Sequence, residues 1–127
     1  MGRLFCILTA ITILVFTLVI SGFSQTDMKK IENPAFEEKQ RPPAVFVHDE
    51  HNELAGVQDC SVCHHVYEDG ELLEGAMSVG MGCNDCHSLE PDQDNSVGLM
   101  DAYHGQCLGC HRDEGAGPLA CGECHVR

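Results

Sequence analysis

Eight of the nine cysteines in this 127-residue chain fall into four copies of one pattern, and no other feature limits the fold as strongly. The copies are Cys60-Ser-Val-Cys63-His64, Cys83-Asn-Asp-Cys86-His87, Cys107-Leu-Gly-Cys110-His111 and Cys121-Gly-Glu-Cys124-His125. Each is C-x-x-C-H, the attachment signal of a c-type haem. On a helical turn the Cys at i and i+3 and the His at i+4 share one face. Two thioether bonds and one His–Fe bond can therefore form on the same side of a porphyrin. Cys pairs at this spacing also serve as zinc knuckles or redox dithiols, and eight Cys would suit four disulfides. Random placement of the histidines would put one after every pair about four times in 100,000, which decides for haem. The expected cofactors are four c-type haems, held covalently by Cys60, Cys63, Cys83, Cys86, Cys107, Cys110, Cys121 and Cys124.

Such cofactors are also what the rest of the chain needs. From Pro43 to Arg127 no stretch sustains a helical or alternating apolar pattern for 11 residues, and 11 of the 13 Gly are scattered through it. A chain of this size without an apolar core needs disulfides, metals or another filler. The expected fold is mainly irregular, with a few short α-helices and a small N-terminal β segment at Ala44-Val45-Phe46-Val47, organised around four haems. Met77, Met81 and Met100 are expected to pack against porphyrin faces.

The histidines give an independent count. His64, His87, His111 and His125 belong to the motifs, which leaves His48, His51, His65 and His104, one spare imidazole per haem. Four bis-His irons would use every His in the chain. His64 and His65 are adjacent and on a helix point about 100° apart, so they must serve different irons. His48 and His51, three apart, cannot bind one iron from both sides and also serve two. The haems must crowd around these shared segments.

Ahead of the haem motifs, residues 4–20 form an uncharged apolar run after Arg3, followed by small and polar residues. This predicts an export signal over residues 1–24, with an uncleaved membrane anchor through residues 4–20 as the alternative; either places the domain in the periplasm. Cys6 lies within the run as a bystander. Residues 25–43, mixed in charge and ending in Arg-Pro-Pro, are expected to form a leader or tether, and residues 44–127 the tetrahaem domain. The formal charge of -13 speaks against nucleic acid as a partner.

The order Phe46-x-His48-x-x-His51, Cys60-x-x-Cys63-His64-His65, Cys83-x-x-Cys86-His87, a lone His104 and two final C-x-x-C-H motifs resembles the tetrahaem cytochrome c3 type of class III cytochrome c, from about Pro42 to Arg127. The doubled His is the most specific element. The resemblance implies the class III cytochrome fold, with haem 1 held by His64 and His48 and haem 2 by His87 and His65. Haem 3 would be held by His111 and His51, and haem 4 by His125 and His104. All four motifs here have two residues between the Cys, where many relatives have four in the second and fourth. His104 stands only three residues before Cys107, closer than in longer members, and there is no Lys after Lys39.

That last departure bears on partners. From Pro42 to Arg127 there are 16 Asp and Glu against Arg112 and Arg127. Haem propionates would deepen the excess, and such a field repels acidic partners and steers basic ones. It resembles the acidic type II branch, which implies electron exchange with a hydrogenase system, a basic tetrahaem cytochrome and a membrane-bound redox complex in anaerobic, sulfate-linked respiration. The expected function is a low-potential electron carrier and not an enzyme, because two His ligands leave an iron no open position. The alternative is a multihaem reductase of a small oxyanion or metal ion with one open haem position, at His104.

Overall fold

A computed structural model describes residues 28–93 and 95–127. The expected export segment lies outside them. No helix among the described residues is long and apolar enough to cross a membrane.

The chain enters as strand β1 (Lys30–Ile31), antiparallel to β2 (Ala44–Val45) with Lys30 opposite Val45 and Ile31 opposite Ala44. Backbone bonds extend the pairing past β2, from Phe46 N–H to the Lys29 carbonyl and from His48 N–H to the Met28 carbonyl, both 3.0 Å. The segment expected as a tether is thus packed against the domain from Met28 onward. Asn33 explains why: it is buried, its Oδ1 accepts from the Ala35 N–H at 3.0 Å, and its Nδ2 donates to Asn84 Oδ1 at 2.8 Å and to the Tyr103 hydroxyl at 3.1 Å. Phe36 packs beside Tyr103, ring centres 6.4 Å apart. A buried amide with its bonds satisfied holds distant parts together without leaving any apolar period in the sequence.

Helix α1 (His48–Ala55) follows β2 directly. Asp49 and Glu50 sit in its first turn, where the helix dipole favours anions, and Gly56 (φ 66°) ends it in the left-handed region. None of its residues is buried. A hairpin, β3 (Tyr67–Glu68) with β4 (Glu71–Leu72), turns through Asp69 (φ 52°) and Gly70 (φ 80°), two consecutive positive φ values as a type I′ turn requires.

Helix α2 (Leu99–Glu114) runs for 16 residues, longer than the short helices expected. Its periodicity is not aliphatic. His104, Cys107 and His111 recur at i, i+3 and i+7, so cofactor-binding residues carry the helical repeat. Helix α3 (Cys121–Cys124) is a single turn.

Among the described residues Leu99 is the one buried hydrophobic side chain, while 14 large hydrophobic ones are exposed, Met77, Met81 and Met100 among them. The polypeptide does not form its own interior. This is the expected mainly irregular architecture with few helices and small strand pairs.

Candidate functional site

Each C-x-x-C-H motif is a locally closed turn. Cys60–Val62 and Cys83–Asp85 are 3-10 turns, Cys121–Cys124 is α3, and the third motif lies within α2. The histidine N–H donates back to the carbonyl of the first cysteine, at 2.8 Å for His64 to Cys60, 2.7 Å for His87 to Cys83 and 2.9 Å for His125 to Cys121.

Nearby acids brace these turns. Asp59 Oδ1 accepts from the Ser61 N–H and hydroxyl, Asp85 Oδ2 from the Gly82 N–H, and Glu123 Oε2 from the Leu119 and Ala120 N–H groups. Those bonds hold the Asp59 and Glu123 carboxyls below the usual carboxylate range.

The turns also cluster in space. Burial raises the Cys63, Cys83 and Cys107 thiols above the ordinary range, and at Cys107 the neighbouring Cys63, Cys124 and Cys83 add to it. No disulfide joins any of the eight motif cysteines, which leaves all eight for thioether attachment.

All eight histidines meet in pairs. The ring centres of His48 and His64 lie 6.4 Å apart, His65 and His87 6.3 Å, His51 and His111 6.2 Å, and His104 and His125 6.3 Å. Two metal–nitrogen bonds of about 2.0 Å in line, plus the distance from each nitrogen to its ring centre, span about 6.3 Å. The residues therefore fit a bis-imidazole iron at four places. Each pair joins one motif His to one spare His, in the combinations that the resemblance implies. His64 and His65 diverge to different partners, as do His48 and His51. His104, where an open position was the alternative, stands as close to its partner as the other three.

Outer ring nitrogens fix the tautomers. His87 Nδ1–H donates to the Val97 carbonyl at 2.9 Å, His111 to Pro118 at 2.7 Å and His125 to Pro42 at 2.6 Å. A carbonyl only accepts, so Nδ1 carries the proton and Nε2 keeps its lone pair for a metal. Burial, followed by the neighbouring His87 and His64 rings, lowers His65 below the ordinary imidazole range and favours the neutral form that can ligate.

Sequence reasoning missed several supporting residues. Ser78 pins the doubled histidine, its N–H donating to the His64 carbonyl at 2.9 Å and its hydroxyl to the His65 carbonyl at 3.1 Å. Gln106 Nε2 donates to the Val62 carbonyl at 2.7 Å and joins α2 to the first haem turn. Gly117 (φ 92°) lies flat against the His111 ring, where an added Cβ would sit 2.6 Å from Cδ2. None of these three carried a sequence signal for its role.

Four pairs of imidazoles beside four cysteine-bearing turns define a multihaem c-type cytochrome. The pattern of the class III cytochrome c family matches residues 24–125, and the chain belongs to that family. The match begins ahead of Met28 and so takes in the segment that packs on the domain. Among its relatives, cytochrome c3 of Desulfovibrio desulfuricans is 27% identical over 102 residues, covering 76% of this chain and 91% of that protein. Cytochrome c7 of Geobacter metallireducens is 40% identical over 45 residues, 35% of this chain and 49% of that protein. The chain is a multihaem electron carrier with c-type haems as its cofactors.

Proposed function

We propose that this chain is a low-potential periplasmic carrier, exported by residues 1–24. In this reading the domain at residues 44–127 binds four haems through its eight motif cysteines. His48 and His64, His65 and His87, His51 and His111, and His104 and His125 hold the four irons. The observation that carries the reading is the common spacing of the four imidazole pairs, 6.2 to 6.4 Å. When bound, the haem irons supply one-electron Fe(III)/Fe(II) chemistry. The two imidazoles of each pair would hold its iron between them and leave it no position for a substrate. Histidine on both sides, with no methionine, keeps the potentials below those of His/Met cytochromes.

The acidic surface selects the partners. Sixteen carboxylates against two arginines after Arg41 steer basic redox proteins toward the carrier, which passes electrons between a periplasmic donor, a hydrogenase or basic tetrahaem cytochrome, and a membrane redox complex. Expression in a host that matures c-type cytochromes, followed by intact mass, tests the reading. It should report four haems and the loss of residues 1–24, with a wholly low-spin spectrum that carbon monoxide leaves unchanged. A high-spin fraction would point to a reductase. Reduction by a basic tetrahaem cytochrome should slow steeply with added salt.

A further inference from the structure

The hydrogen-bond partners of the histidine Nδ1 groups are not equivalent. Those of His87, His111 and His125 are neutral backbone carbonyls. His48 instead donates to the Asp49 carboxylate at 2.8 Å, an anionic acceptor. One turn further along α1, the His51 Nδ1 is buried with no hydrogen-bond partner. The two extremes thus lie three residues apart on one helix that reaches two haem sites.

An anionic acceptor draws the Nδ1 proton toward itself and makes Nε2 a stronger donor to a metal, while an unpartnered Nδ1–H leaves the ring a weaker one. A stronger axial donor favours Fe(III) over Fe(II), because the ferric ion carries the larger charge to be stabilised.

We propose that Asp49 is a positioning residue that acts through His48 to lower the midpoint potential of the haem attached at Cys60 and Cys63. Helix α1 then builds a downhill step for electrons, from the His48/His64 haem to the His51/His111 haem. The inference rests on the ligand assignment proposed above. The Asp49 side chain is 54% exposed, so solvent screens its charge and confines the effect to the nearest iron.

Glu50 supplies the control. It shares the first turn of α1 and has the same relation to the helix dipole, yet it makes no bond to His48. In the holoprotein, each haem can be followed through a redox titration by its own methyl NMR resonances. Asp49→Asn should shift one midpoint upward, that of the haem whose axial ring is His48, and should move the His48 Nδ1–H resonance. Glu50→Gln should leave the four midpoints closer to wild type than Asp49→Asn does. An unchanged His48 haem in Asp49→Asn overturns the proposal, as do equal shifts of all four haems in both variants. The two readings fail separately. Four low-spin haems with unmoved midpoints reject the role of Asp49 alone, whereas a high-spin haem in the wild type rejects the ligand assignment.

Discussion

Helices α1 and α2 each contribute to two of the imidazole pairs, but they are held in different ways. Helix α1 has no buried residue and no cysteine, and Leu54 on it is 82% exposed. Helix α2 begins with the buried Leu99, carries its own attachment motif and is tied through Tyr103 to Asn33 and through Gln106 to the first haem turn. One helix is placed by the polypeptide as well as by its ligands. In the proposed ligand assignment, the other depends on the bonds that His48 and His51 would make to metal. Coordination bonds can therefore do for a short helix what a buried apolar stripe ordinarily does.

The strongest test of this contrast removes the haems. Chain made in a host that cannot attach them should lose nearly all far-UV helical signal, and the α1 amides should exchange hydrogen at unstructured rates while α2 keeps residual protection. Equal protection in the two helices would break the comparison. Next in size, His51→Ala and His104→Ala should each convert one haem of the four to a carbon monoxide-binding, high-spin form. Only His51→Ala should also speed exchange throughout its helix, by about tenfold or more. Similar exchange rates in both variants would show that α2 leans on its ligand as much as α1 does.

Smaller effects should separate the helices by their packing. Leu99→Ala should cost about 2–5 kcal/mol in denaturant unfolding of the holoprotein. Leu54→Ala on α1 should stay within about 0.5 kcal/mol of wild type. Asn33→Ala leaves the Tyr103 hydroxyl and Asn84 without their shared donor and should cost about 1–3 kcal/mol, with the loss of protection centred on the start of α2. A loss centred on α1 would mean that the N-terminal segment supports the other helix.

The same contrast explains what could be read from the sequence. Covalent chemistry has strict local spacing, so the four motifs and the count of four spare histidines were legible without any fold. The divergence of His64 and His65 followed from adjacency alone. Helix α2 was not legible, because its period resides in His104, Cys107 and His111 and not in aliphatic residues. The packing of residues 28–43 rests on the amide of Asn33 and on two strand residues, which no hydrophobic pattern reports. The β3–β4 hairpin had its signal in Asp69-Gly70, but strands of two residues are too short to show alternation. The Nδ1 partners are contacts across 1 to 83 residues and have no sequence signature.

The backbone closure of the attachment turns has a consequence for how such chains change over generations. In three motifs the histidine N–H returns to the carbonyl of its own first cysteine, so the turn needs no distant residue to take its shape. The second imidazole comes from elsewhere, supplied to Cys60-x-x-Cys63-His64 by His48 from outside the motif. A redox centre built this way is nearly a module of five residues plus one remote histidine. The closing bond of each turn would survive the addition or loss of another turn, so a change in their number does not require every remaining turn to be rebuilt.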